Sequence, residues 1–178
     1  MRKKILLPVC FILIAAVVLL AAYNALMGLR LSAAQAELEE KMQTILPGSV
    51  SFTEEAYTGE DANIQRVYKG ETGYVIGTVT HGYAGNIAML IGVSNDGAVT
   101  GLQIRDIHET FGLGQKALTD WQFLAQFLNT TGDAAVGADI DALAGATVTS
   151  RAVTRSVNSA VGFVTGADAA SGATSWGG

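Results

Sequence analysis

The chain has 178 residues, which is enough for one globular domain of ordinary size beside a single membrane-spanning segment. Four of its 11 basic residues flank the apolar N-terminal segment, so seven remain against 16 acidic ones; the rest of the chain then carries a net charge near −9, which argues against nucleic acid as a partner. The single cysteine, Cys10, lies inside the apolar segment, which excludes an internal disulfide and a thiolate metal cluster.

The apolar segment over residues 5–23 has 19 residues without a charge, long enough to cross a membrane at about 1.5 Å per residue. The alternative is a cleaved signal peptide, but its apolar part usually runs only about 7–15 residues. The basic cluster Arg2-Lys3-Lys4 should stay in the cytoplasm. We therefore predict an anchor over 1–28 with a single pass through the cytoplasmic (inner) membrane, a cytoplasmic N-terminus and an extracytoplasmic C-terminal domain.

Residues 29–46 are predicted to be helical, because apolar side chains recur there at helical spacing and charged ones fill the other face. Pro47-Gly48 should end this helix, which gives a helical stalk over 29–48. Strands are predicted over 64–68 and 74–79, where β-branched and aromatic residues lie between glycines.

A hairpin is predicted next, since the apolar run 87–93 is followed by Asn95-Asp96-Gly97 and an alternating stretch over 98–104. Helices are predicted over 116–128, with its Trp and Phe residues in the core, and over 151–164, with a stripe of valines. A loop over 132–137 separates them. The fold class is therefore α+β: an antiparallel sheet packed with helices, with the globular domain over 49–165 and a mobile Gly/Ala/Ser-rich tail over 166–178.

The most informative motif is Asp-Ala-Leu-Ala-Gly-Ala-Thr-Val-Thr-Ser over 141–150. Gly145 permits a tight turn, and Thr149 or Ser150 could cap the following helix. The free N–H groups at such a helix start favour an anion, and Arg151 follows where an acidic residue would oppose one. A plain glycine turn with a Ser or Thr cap fits the same spacing.

Residues 141–147 resemble the flavin-attachment signature Asp-x-x-Ser/Thr/Ala-Gly-Ala-Thr of the FMN-binding domain family, with Ala144 where Ser is common. Within that family the chain is similar to the G subunits of Rnf electron-transport complexes, which are related to the C subunits of the sodium-pumping NADH:quinone reductases. The resemblance implies that a separate FAD-dependent, magnesium-requiring flavin transferase esterifies the FMN phosphate to Thr147. Cofactor contacts would then also come from Gly145, Ala146, Thr149 and Ser150.

A second stretch carries the same resemblance. Residues 82–93 are similar to the strand that enters the family's flavin domain, and 108–114 match its His-Glu-Thr-Pro-Gly-Leu-Gly loop except that Phe111 replaces Pro. The resemblance implies that this loop lies against the isoalloxazine ring, while Phe111 either stacks on the ring or enters the core. Lys116 would add positive potential if it points inward, and is otherwise a surface residue. The implied cofactor contacts are Glu109, Thr110, Gly112, Leu113, Gly114 and Lys116.

A second match to the short signature ends at Thr174, but only four residues follow it, so no helix can begin there. We expect Thr147 to be the attachment site and leave Thr174 open as an additional one. The two histidines, His81 and His108, lack carboxylates at ligand spacing, and we predict no metal site.

The resemblance implies a membrane-anchored FMN electron carrier within an ion-translocating ferredoxin:NAD+ oxidoreductase. Such a subunit has no complete activity alone and works with the other membrane and redox subunits. Two alternatives stay open at this point: a stand-alone extracytoplasmic flavin carrier in another electron-transfer system, and an anchored interaction domain without redox chemistry.

Overall fold

The computed structural model describes residues 2–108 and 114–167, with side chains described from Ala15 onward except that of Leu118; most of the tail predicted over 166–178 lies outside these ranges. Helix α1 spans Arg2–Ile45, and between Glu40 and Lys41 the chain divides into two compact units. Within the described residues one helical segment, Ala15–Ile45, is long and apolar enough to cross a membrane. Its large side chains are exposed, as at Leu19 and Leu20. The prediction of a long apolar N-terminal helix that could cross a membrane is thus confirmed.

In the described part of the second unit, five strands form an antiparallel sheet in which they follow each other in chain order. The strands are β1 Thr53–Glu55, β2 Ile64–Lys69, β3 Gly73–His81, β4 Asn86–Ser94 and β5 Val99–Ile107. The predicted hairpin joins β4 to β5: Gly97 has φ +88°, and the Ser94 amide donates to the Ala98 carbonyl oxygen at 2.8 Å. The α+β fold with an antiparallel sheet is confirmed.

Among the described residues, a 3-10 helix and two further α-helices follow the sheet. The last of them, α3 over Thr147–Thr165, covers one face of it. Its residues Ala152, Val153, Val157 and Val161 are buried, and Phe163 meets the Tyr74 ring edge-on at 5.6 Å. The end of α1 lies on the opposite face, where Met42, Ile45 and Leu46 are buried. The sheet therefore lies between α3 and the last turn of α1.

The prediction of a single helix over 116–128 is wrong. The 3-10 helix, Gly114–Leu118, is followed by a separate short helix α2, Trp121–Ala125. The Asp120 carboxylate accepts the Phe123 amide at 3.0 Å and so begins α2 anew, and Asn129 with φ +64° ends the segment. Phe123 and Phe127 are in the core as expected, but Trp121 is 71% exposed, contrary to the prediction.

Candidate functional site

The segment before α3 turns at Gly145, whose φ of +75° is the left-handed value that glycine adopts without strain. The Ala146 amide closes the turn by donating to the Leu143 carbonyl oxygen at 2.9 Å. Helix α3 then begins at Thr147, one turn earlier than predicted. Ala146 is the N-cap and makes no side-chain cap, so the prediction that Thr149 or Ser150 caps the helix is wrong.

Both of those residues lie inside the first turn of α3, where their side chains are buried. Thr149 is 1% exposed and Ser150 is fully buried. The Ser150 hydroxyl accepts the Leu143 amide at 3.0 Å and donates to the Ala146 carbonyl oxygen at 3.0 Å. Ser150 therefore holds the preceding turn against the helix, and its own N–H donates to the Ala146 carbonyl oxygen at 2.9 Å. A contact of Thr149 with a ligand at this surface would come from its backbone N–H.

Thr147 itself is exposed, as are Gly145 and Val148 beside it. Within the part of the chain that the structure describes, no group accepts a hydrogen bond from the backbone N–H groups of Thr147, Val148 or Thr149. The first turn of α3 carries no acidic side chain. Free N–H groups at the positive end of a helix dipole suit an anion, and the Thr147 hydroxyl lies among them.

The start of α3 lies at one particular end of the sheet. The Thr80 hydroxyl donates to the Ala152 carbonyl oxygen at 3.0 Å and pairs with the Ser156 hydroxyl at 2.9 Å. On the exposed side of the same turn, the Arg155 guanidinium donates to the His81 carbonyl oxygen at 2.9 Å. The first half of α3 is therefore fixed to the C-terminal end of β3.

The second predicted segment leaves from the same end. His81 pairs with Asn86 across β3 and β4, and the His108 amide after β5 donates to the Asn86 carbonyl oxygen at 3.0 Å. Directly after the loop, Gly114 is buried. Lys116 is exposed and is therefore a surface residue. The chain thus brings the start of the 109–113 loop, at His108, and the first half of α3 to the same end of the sheet. The remaining predicted contacts of this loop lie outside the described residues: Glu109, Thr110, Phe111, Gly112 and Leu113.

One contact of this site carries no signal in the sequence. The Gln126 side chain accepts the Asp141 amide at 2.7 Å and donates to the Asp141 carbonyl oxygen at 3.3 Å. Gln126 lies 15 residues before the motif, directly after a short helix whose ends cannot be read from the apolar spacing. No sequence pattern therefore predicts that it pairs with Asp141.

Histidine chemistry at this end is limited. The His81 ring faces the Asn86 side chain at 3.2 Å, and the His108 ring lies 3.7 Å from the Asp106 carboxylate with both side chains largely exposed. Among the described residues, no group of three His, Cys, Asp or Glu side chains is arranged to hold a metal ion.

Comparison with known proteins decides the family. A model of the FMN-binding domain matches residues 82–162, which run from the turn before β4 into α3. The G subunit of the ion-translocating oxidoreductase complex of Methanosarcina acetivorans is 34% identical over 177 residues, covering 86% of this chain and 93% of that protein. The chain belongs to this family of G subunits. Residues 82–162 of the chain are accordingly an FMN-binding domain.

Other relatives in the family align over a shorter stretch. The G subunit of the sodium-translocating ferredoxin:NAD+ oxidoreductase complex of Acetobacterium woodii is 40% identical over 98 residues, which are 50% of this chain and 47% of that protein. The G subunit of the ion-translocating oxidoreductase complex of Escherichia coli is 40% identical over 93 residues, 47% of this chain and 45% of that protein. The chain matches these two relatives over about half of their length.

Proposed function

We propose that this chain is a membrane-anchored electron carrier that holds one FMN as a phosphate ester on Thr147, as the G subunit of an Rnf-type ion-translocating ferredoxin:NAD+ oxidoreductase complex. The observation that carries the proposal is the position of Thr147. It is an exposed hydroxyl on the first residue of α3, directly after the turn at Gly145 and inside the FMN-binding match.

The surroundings of Thr147 fit a phosphate. A phosphate ester on its side chain would lie at the N-terminus of α3. No group in the described residues accepts a hydrogen bond from the amides of Val148 and Thr149 there, so both could donate to the phosphate. The helix dipole favours the remaining negative charge, and Arg151 is an exposed cation one turn further along α3.

FMN supplies reversible electron transfer through its ring system, while the protein supplies position and surroundings. An ester through the phosphate leaves that ring free of covalent bonds to the protein and keeps the cofactor from dissociating. By the family resemblance, the ring would lie against the backbone of 109–114, where donors near the ring edge would favour negative charge on it. Because the start of that loop and the first half of α3 lie at the same end of the sheet, one FMN could reach both.

The anchor and its orientation belong to the same proposal. Residues 1–28 would span the membrane, 29–48 would form a stalk, and 49–165 would be the flavin domain on the extracytoplasmic side. The basic cluster Arg2-Lys3-Lys4 before the apolar segment supports a cytoplasmic N-terminus. Partners would be the other membrane and redox subunits of the complex, as the names of the relatives suggest, and a flavin transferase for maturation.

Attachment can be tested by coexpressing the chain with a flavin transferase and viewing a denaturing gel under ultraviolet light. We expect a fluorescent band that Thr147→Ala removes and that Thr147→Ser keeps. Thr174→Ala is the matched control in the second signature, outside the described residues, and should leave the band in place. A band unaffected by Thr147→Ala would place the ester elsewhere.

A further inference from the structure

Gln126 makes two hydrogen bonds to the main chain of Asp141, the first residue of the motif that ends at Thr147. Its amide oxygen accepts the Asp141 N–H at 2.7 Å, and its amide nitrogen donates to the Asp141 carbonyl oxygen at 3.3 Å. A side chain that satisfies both main-chain groups of one residue fixes that residue in position and in orientation.

The base of this side chain is itself held firmly. Gln126 is the C-cap of α2. Phe123, three residues earlier, and Phe127, which follows Gln126, are both buried, with rings that meet edge-on at 5.4 Å. The Asp120 carboxylate caps the start of the same helix. The Gln126 amide therefore projects from a part of the core that has little freedom to shift.

The segment from Asp141 to Thr147 is fixed at regular intervals. Gln126 holds Asp141, the Ser150 hydroxyl holds the Leu143 amide, and the Leu143 carbonyl oxygen holds the Ala146 amide. These contacts leave the Thr147 hydroxyl at the end of a short, outward-facing segment. Its buried residues are Leu143 and Ala146, preceded by Ile140, and its exposed ones are Asp141, Ala142, Ala144 and Gly145.

We infer that Gln126 is a positioning residue for the esterification of Thr147, an inference that rests on the proposed function. In that reaction the Thr147 hydroxyl oxygen attacks the phosphorus on the FMN side of FAD. The phosphoanhydride bond breaks, AMP leaves, and the hydroxyl proton passes to a base of the transferase, with no change in oxidation state. A segment that is already ordered spares the transferase the entropic cost of ordering it.

The test measures the initial rate of flavin transfer to the full chain in detergent, with a purified flavin transferase, magnesium and FAD, by gel fluorescence. We expect Gln126→Ala to lower kcat/KM for the chain by about 10- to 100-fold, the range that misplacement of a reacting group produces. Gln126→Glu keeps an acceptor for the Asp141 amide and loses the donor, so it should fall between Gln126→Ala and the wild type. Gln122→Ala removes an exposed glutamine from the same helix and should transfer flavin at the wild-type rate.

Two further measurements distinguish a positioning role of Gln126 from a merely structural one. Thermal unfolding should show each variant folded at the assay temperature, and amide hydrogen exchange over 141–147 should be faster in Gln126→Ala than in Gln122→Ala. Wild-type transfer by a folded Gln126→Ala variant overturns the inference. If Thr147→Ala still accepts flavin in this assay, the proposed attachment site fails instead, so the two failures are distinguishable.

Discussion

Gly92 and Gly101 lie opposite each other on β4 and β5, and a Cβ on either would fall within 2.7 Å of the Ile45 carbonyl oxygen. The Thr100 hydroxyl donates to that same oxygen at 2.8 Å. The pair of glycines is therefore the surface on which the last turn of α1 rests against the sheet.

Gly101→Ala should force this contact apart and destabilise the domain by about 1–3 kcal/mol, as overpacking of a close contact does. The matched control is Gly77→Ala in β3, where a Cβ would be 3.4 Å from the Arg66 side chain. Urea unfolding of the full chain in detergent would measure both. Equal stabilities for the two variants would mean that the contact at Ile45 can open without cost.

Ser150→Ala should destabilise the domain although it removes a single oxygen. The Leu143 amide, in a buried residue, would lose its acceptor, and an unsatisfied buried donor costs about 1–3 kcal/mol. Ser32→Ala, on an exposed part of α1, should have almost no effect on the free energy of unfolding. If Ser150→Ala unfolds at the wild-type urea concentration, then Ser150 does not hold the turn before α3.

Trp121 and Phe123 are two residues apart on α2 and should respond very differently to truncation. Phe123 is 2% exposed and meets Phe127 edge-on, so Phe123→Ala should cost about 3–5 kcal/mol. Trp121 is 71% exposed, so Trp121→Ala should change stability by about 0.5 kcal/mol or less. Thermal unfolding of both variants checks the boundary of the core, and a large loss of stability in Trp121→Ala would contradict it.

Glu71 should make part of the stability dependent on pH. Its own backbone N–H and the Ser51 hydroxyl donate to its carboxylate and lower its pKa in the folded chain. A carboxyl group with a lowered folded pKa stabilises the fold above its unfolded pKa of about 4.3, and this contribution is lost as the pH falls through the folded pKa. Glu71→Gln should therefore weaken the fold at pH 7 and weaken it less at pH 3.

The matched control for Glu71 is Glu55→Gln, which makes the same substitution at an exposed site in β1. Urea unfolding at the two pH values measures the difference. A loss of stability in Glu71→Gln that is equal at pH 7 and pH 3 would mean that the charged form of Glu71 contributes nothing.

Much of the sheet can be predicted from the sequence because its signals are local. The predicted strands alternate or are bounded by turn residues, and Asn95-Asp96-Gly97 specifies its hairpin through the positive φ of Gly97. The prediction of one helix over 116–128 is wrong because apolar spacing alone does not reveal that Asp120 begins a new helix.

The start of α3 differs from its prediction for a related reason. Thr149 and Ser150 are residue types whose hydroxyls usually compete with the helix backbone and so favour caps, but tertiary packing buries both inside the first turn. The pairing of Gln126 with Asp141 crosses 15 residues and depends on the packing of Phe123 and Phe127. No local pattern predicts it.

The central claim is a single phosphate ester of FMN on the hydroxyl at the start of α3. Intact-protein mass analysis of the chain isolated from its native membrane, followed by peptide mapping, measures this directly. We predict a mass increase equal to one FMN less one water, localised to the peptide that contains Thr147. Only the mass of the unmodified polypeptide, in cells where the flavin transferase is present and active, would contradict the claim.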